Sequence, residues 1–347
     1  MRKAQGTETG AEAPPGGERT SAAKAVYGDG DVPGVVIRAG RGLYIVQTDS
    51  GRIIPCKLRG NLKKNLTYPE STNRGHRVEK VRKLRETDPM AVGDRVEITV
   101  DESGQAGVIE AIMPRRAALS RRSGNERERQ TLVANLELAV VTFAALEPRV
   151  DLYKLDRFLV LAEDAELDIL IVLNKAELAT PAEIEQVAAP YRRIGYPVLA
   201  TSARTGAGIE ELRGFLKSKI SAFAGPSGVG KSSLLNALQP GLALKTAEIG
   251  TITFKGRHTT VAAELLPLGF GGWVADTPGL RQVEFWDLDP EDVGFCFPEM
   301  APLMGQCRFA NCRHREEPAC AVRAAVASGE IDQRRYESYL EMTKDAI

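Results

Sequence analysis

Apolar and polar positions change rhythm along this chain. Between residues 32 and 113 the apolar residues come in short stretches bounded by turn formers. Val35-Val36-Ile37-Arg38 precedes Ala39-Gly40-Arg41-Gly42, and residues 43–48 lead into Asp49-Ser50-Gly51 before a further stretch at 52–58. Residues 94–100 alternate apolar with polar, and 107–112 follow a turn at Glu102-Ser103-Gly104. About five short strands in so short a segment predict a small barrel, with the OB-fold as leading candidate. From residue 138 the rhythm differs. Residues 138–144 and 168–173 are unbroken apolar runs of buried-strand type, and 152–163 between them has the period of an amphipathic helix. Residues 181–191 and 208–216 read as helices and 196–200 as a strand. This alternation predicts a parallel sheet with helices on both faces. Beyond residue 291 the chain bears cysteines, then reads as helical over 321–328 and 332–342.

The expected organisation is multidomain. A tail over 1–31, poor in large apolar residues, is expected to be disordered. An OB barrel over 32–113 carries a polar, basic insert at 61–88, expected to be a mobile loop. Residues 115–129 read as a basic linker within the start of an α/β domain over 114–290, and 291–347 form a C-terminal domain.

Charge sharpens this picture. The chain is formally neutral, yet residues 32–129 hold 20 Lys and Arg against 12 acidic residues, while 130–347 hold 22 against 29. A basic front section points to a polyanionic partner, and basic loops on an OB barrel commonly touch nucleic acid. No run approaches the roughly 18 apolar residues of a membrane span, and the N-terminus lacks the apolar core of a signal peptide. The expectation is a cytoplasmic monomer with no membrane partner.

Three motifs carry chemistry. Gly225-Pro226-Ser227-Gly228-Val229-Gly230-Lys231-Ser232, with Ser233 after it, matches the phosphate-binding loop G-x-x-x-x-G-K-[ST] between a predicted strand and helix. Its amides can cradle phosphates, Lys231 can reach the β- and γ-phosphates, and Ser232 can ligate Mg²⁺. Asn174-Lys175-Ala176-Glu177 is close to the Asn-Lys-x-Asp element that reads guanine, with Glu in place of Asp. A carboxylate there accepts from two guanine ring donors that adenine cannot supply. Thr201-Ser202-Ala203 at the next strand end matches the Ser-Ala element that reads the guanine carbonyl. Asp276-Thr277-Pro278-Gly279 matches Asp-x-x-Gly, in which Asp276 would hold Mg²⁺ through water and the Gly279 amide would sense the γ-phosphate. Leu280 follows, where a Gln orients the attacking water in Ras-like enzymes. His258, in Gly256-Arg257-His258-Thr259-Thr260, is the nearest candidate for that role, and Thr259 or Thr260 for a second Mg²⁺ ligand.

The base-reading elements precede the phosphate loop, the reverse of the usual order, so the GTPase domain is expected to be circularly permuted. Downstream, Cys307, Cys312, His314 and Cys320 supply three thiolates and an imidazole, a set suited to one structural Zn²⁺. Cys56 and Cys296 fit no ligand spacing and are expected in the core.

The basic barrel, the permuted order, the segment Gly256-Arg257-His258-Thr259-Thr260 and the Cys307, Cys312, His314, Cys320 spacing together resemble the ribosome small-subunit-dependent GTPases, the RsgA/YjeQ family. The resemblance spans about residues 32–342. It implies a cytoplasmic GTPase that docks on the small ribosomal subunit late in assembly, with barrel and zinc domain on ribosomal RNA and GTP turnover linked to release. The alternatives from the residues are a nucleotide-gated RNA-binding switch with incidental hydrolysis and an ATP-using P-loop enzyme.

Overall fold

The barrel closes because five short strands alternate inward apolar residues with outward polar ones. In the computed structural model they are β1 (Asp31–Gly40), β2 (Leu43–Thr48), β3 (Ile53–Leu58), β4 (Arg95–Val100) and β5 (Gly107–Ile112). The structure describes residues 31–40, 42–60, 62, 90–122, 129–242, 264–276 and 291–344. The tail up to residue 30 and all of the 61–88 insert except Leu62 therefore lie outside the described residues, and Asp31 opens β1. The strand order β1-β2-β3-β5-β4, closed by β4 on β1 and with β3 parallel to β5, is that of an OB barrel. Val36, Tyr44, Val46, Ile54, Cys56, Val96, Ile98 and Ile109 fill its interior.

The α/β region places five strands in parallel. They are β8 (Leu138–Ala144), β9 (Asp168–Asn174), β10 (Val198–Ala200), β11 (Ile220–Ala224) and β13 (Trp273–Asp276), and they run in the order β10-β9-β8-β11-β13. Every residue of β8 and β11 is buried, as expected for strands covered on both faces. One side carries α1 (Leu152–Asp164) and α2 (Pro181–Arg193), whose Leu155, Leu159, Ala188 and Tyr191 join one core. The other carries α3 (Ile209–Leu216) and α4 (Lys231–Leu238), whose Leu212, Leu216, Leu234 and Leu235 join another. Thr180 and Glu183 form a reciprocal capping box that starts α2, with Pro181 in its first turn.

Two features depart from the sequence reading. The sheet is not wholly parallel: β12 (Glu264–Pro267) pairs antiparallel with β13. Its four residues are too short a run to announce themselves. The expected linker at 115–129 instead contains β6 (Ala118–Arg122) and β7 (Arg129–Ala134), an antiparallel pair. Its arginines mask a Gln-Thr-Leu-Val-Ala stretch of strand composition.

Barrel and sheet are continuous. β12 pairs with β1 at Glu264 and Arg38, whose side chains also form an ion pair. Arg115 grips the fully buried Asp94 with two hydrogen bonds, at 2.7 and 2.8 Å. Val35, Ile37 and Val92 of the barrel region share a core with Val133 and Leu136.

The C-terminal region ends in α5 (Ala321–Ser328) and α6 (Gln333–Met342). It docks on α1 through Val160, which packs among Val293, Phe297, Met300 and Tyr336. Cys56 and Cys296 are buried, and burial pushes their thiols up to about 11 and about 12.

Candidate functional site

Parallel strands bring their carboxyl ends to one edge, the usual place for a ligand in such sheets. Here that edge gathers the loop after β9, the loop after β10, the phosphate loop after β11 and the end of β13. Strands distant in sequence thus deliver the predicted elements to one place.

Gly225–Ser232 turns tightly because its glycines adopt conformations that side chains resist. Gly225 has φ +135° and a Cβ there would lie 2.0 Å from the Thr142 carbonyl oxygen. A Cβ on Gly230, at φ +93°, would lie 2.4 Å from the Asn174 side-chain nitrogen. Gly230 caps α4 without a side-chain hydrogen bond, so the first-turn amides stand ready for an anion. Lys231 Nζ donates to the carbonyls of Gly225 and Pro226 at 2.7 and 2.6 Å. Ser227, Gly228, Ser232 and Ser233 are exposed, while Val229 is buried.

Asn174 joins the two halves of the site. It is 1% exposed, and its Nδ2 donates to the Val229 carbonyl at 2.9 Å. Its Oδ1 accepts from Thr201 Oγ1 at 3.3 Å and the Ala203 amide at 3.4 Å. The Ala176 amide donates to the Thr201 carbonyl at 2.9 Å, tying the two candidate base-reading loops together. Lys175 takes a left-handed φ of 59° and its Nζ donates to the Glu147 carbonyl at 2.7 Å. Ser202 is buried and its Oγ accepts from the Thr205 amide at 3.0 Å.

Glu177 shows what the site lacks within the protein. Arg204 Nε lies 3.2 Å from Glu177 Oε1, whereas Oε2 is buried with no partner among the described residues. A buried carboxylate oxygen without a donor is costly unless a ligand supplies one. Hydrogen bonding from Ser202, and then the charge of Arg204, holds the Glu177 carboxyl below its usual range despite desolvation. This oxygen, on the loop that Asn174 ties to the Val229 carbonyl, can accept a hydrogen bond from a ligand.

Asp276 ends β13, which pairs with β11 through Ala275 and Ala222. His258, Thr259, Thr260, Gly279 and Leu280 lie outside the described residues.

The second cluster lies in the C-terminal region. Cys307 Sγ is 3.4 Å from His314 Nδ1 and 3.8 Å from Cys320 Sγ, and His314 Nδ1 is 3.3 Å from Cys320 Sγ. With Cys312, all four ligand atoms lie within 4.8 Å of one another. A tetrahedral Zn²⁺ with bonds of about 2.3 Å to sulfur and 2.0 Å to nitrogen spaces its ligands by roughly 3.5–3.8 Å, so the cluster fits one zinc ion. Left-handed backbone at His314 and Ala319 bends the chain around the cluster. Tyr336 Oη donates to the His314 carbonyl at 2.6 Å. Glu317 accepts from the amides of Arg313, Arg315 and Glu316, which overcome its desolvation and bring its carboxyl down to about 2.

Comparison with known proteins identifies the family of the barrel and the α/β region. The RsgA N-terminal domain model matches residues 33–109 and the RsgA GTPase model matches residues 112–286. The small ribosomal subunit biogenesis GTPase RsgA of Gemmatimonas aurantiaca is 44% identical over 316 residues, covering 90% of this chain and 97% of that protein. The chain belongs to the RsgA GTPase family. The RsgA of Moorella thermoacetica is likewise 44% identical, over 314 residues, with 90% and 97% covered. Among solved structures, YjeQ from Thermotoga maritima superposes with a TM-score of 0.70 at 35% identity, covering 91% of this chain and 98% of that one. YloQ, a circularly permuted GTPase, gives 0.67 at 30% identity, covering 91% and 95%. The permuted motif order read from the sequence is therefore a property of this RsgA-family fold.

Sequence reasoning missed three groups. Arg204 follows the Ser-Ala element with no spacing signal of its own. Thr201 was legible only as part of that element, yet it hydrogen-bonds Asn174. Asp156 looks like an ordinary helix-surface acid, yet it is fully buried and bonded to Arg334, Arg335 and Tyr191.

Proposed function

We propose that this RsgA-family protein hydrolyses GTP while docked on the small ribosomal subunit late in assembly, and that turnover drives its release. The observation that carries this reading is the Asn174 bridge from the base-reading loops to the Val229 carbonyl of the phosphate loop. Base recognition and phosphate binding thereby share one rigid support.

In this reading Asn174, Lys175, Ala176 and Glu177 hold guanine, with Ser202 and Ala203 on its carbonyl side. Residues 225–233 wrap the phosphates with backbone amides. Lys231 leaves the Gly225 and Pro226 carbonyls for the β- and γ-phosphates, exchanging neutral acceptors for anionic ones. Ser232 and Thr259 would hold the Mg²⁺ that accompanies GTP, with Asp276 contributing through water, and the ion would supply neutralisation of phosphate charge. Gly279 senses the γ-phosphate. Leu280 cannot hydrogen-bond water, so His258 orients the nucleophile. The work required of the protein is positioning and charge stabilisation.

The basic barrel region, 32–113, and the zinc-bearing region, 291–347, flank the GTPase domain, 114–290, and face ribosomal RNA. Zinc has a structural role there, since three thiolates and one imidazole leave no open position. The protein acts as a cytoplasmic monomer. Titration with GDP and ADP tests the base assignment, with GDP expected to bind at least about a hundredfold more tightly. Lys231→Ala tests the enzyme reading: it abolishes phosphate release while binding to small-subunit RNA persists. Equal affinity for ADP, or turnover unaffected by Lys231→Ala, would contradict the proposal.

A further inference from the structure

Reading guanine with glutamate poses a geometric problem. A carboxylate must present both oxygens in a fixed orientation to accept two parallel donors. Glutamate has one more torsion than aspartate, and its terminal torsion is broad. Without restraint, Glu177 loses more side-chain entropy on binding the base.

The structure supplies a restraint. Arg204 Nε lies 3.2 Å from Glu177 Oε1, and Oε2 is buried with no partner among the described residues. The Arg204 side chain is 69% exposed while that of Glu177 is 15% exposed, so the guanidinium grips the carboxylate from its solvent side. Arg204 is also anchored next to Ala203, whose amide donates to Asn174 Oδ1 at 3.4 Å. The restraining group and the base-reading loop are thus parts of one local framework.

We propose that Arg204 is a positioning residue for guanine recognition: it holds Oε1 of Glu177 from the solvent side and so fixes the carboxylate plane, leaving both oxygens a lone pair for the base. This inference rests on the reading of Glu177 as the guanine acceptor. It predicts a dependence on side-chain length at position 177. Aspartate draws the carboxylate back by one methylene, away from Arg204, and removes the torsion that Arg204 restrains. A plain surface ion pair would leave nucleotide selection alone.

The test is a double-mutant cycle on the full chain, reading GDP and inosine diphosphate affinities. Inosine lacks the exocyclic amino donor, so the ratio of the two reports on the carboxylate contact. Arg204→Ala is expected to weaken GDP about five-fold in the Glu177 chain and less than about two-fold in the Glu177→Asp chain. The GDP preference over inosine diphosphate should shrink in the first case only. Equal losses in both backgrounds, or no loss in either, overturns the positioning role. Glu177→Gln separates the two levels of the argument. If Glu177→Gln weakens GDP while Arg204→Ala does not, only the Arg204 role fails. If Glu177→Gln binds GDP like the unaltered protein, the guanine reading itself fails.

Discussion

Trp273 donates its indole N–H to the Gln47 side-chain oxygen at 3.1 Å, across 226 residues of sequence. Gln47 lies on β2 of the barrel, and Trp273 opens β13, whose last residue is Asp276. A barrel strand is therefore bonded to the strand that carries the Asp-x-x-Gly element. Sheet continuity through β1 and β12 reinforces the link. The barrel and the strand ending at Asp276 are thus joined by a side-chain hydrogen bond and by sheet pairing.

Gln47→Leu removes the indole's acceptor at the end of β13 away from the nucleotide. Stability should fall by about 1 kcal/mol. Basal GTP turnover should stay within about two-fold, while stimulation by small ribosomal subunits drops by more than that. Parallel steady-state assays check this, and an equal fall in both rates contradicts it.

Asp156 fastens the C-terminal region to α1. It accepts from Arg334 and Arg335 at 2.7 and 2.8 Å, and Glu299 holds the other side of Arg335. Arg335, 1% exposed, also stacks over the Phe297 ring at 4.4 Å. Asp156→Ala leaves buried Arg335 with Glu299 as its one carboxylate partner among the described residues and takes the carboxylate from partly exposed Arg334, and should cost about 3 kcal/mol. Lys154→Ala breaks only an exposed pair with Asp151 and should cost less than about 1 kcal/mol. Thermal unfolding of the two variants side by side gives the comparison, and similar melting temperatures would refute the network's role.

Removal of the metal should act locally. Cys312→Ser is expected to lower zinc content from one per chain toward zero and to expose residues 307–342 to hydrogen exchange. GDP affinity should hold, because the nucleotide elements sit on a separate core. Full zinc retention in Cys312→Ser refutes the ligand assignment.

The charge on Glu177 sets a pH window. Ser202 and then Arg204 hold its carboxyl below the usual value of 4.5, so the ionised form persists above that pH. A depressed carboxyl keeps its contribution as pH falls and loses it only on passing through the lowered value. GDP affinity should be flat from pH 7 to pH 5, measured with the fold monitored by circular dichroism. A loss already complete at pH 5 with the fold intact contradicts this assignment.

Local pattern made much of this architecture legible. Alternation around Val96 and Ile98 announced a barrel, and the all-apolar 138–144 run announced a buried strand. The glycines and lysine of 225–231 located the phosphate loop because their chemistry is local. What stayed hidden depends on partners far along the chain. Arg335 sits in a polar-looking helix, and only tertiary contacts with Asp156 and Glu299 explain its burial. The Trp273 bond to Gln47 has no sequence signature, and the Arg204 contact with Glu177 emerges only when two loops meet.

We propose that the small ribosomal subunit stimulates GTP hydrolysis by this chain, drawn by the excess of Lys and Arg over 32–129. Phosphate release from GTP, measured with and without purified small subunits at two salt concentrations, tests it most directly. The account predicts strong stimulation that weakens steeply with salt, since phosphate contacts release counterions. Turnover indifferent to subunits at low salt would contradict it.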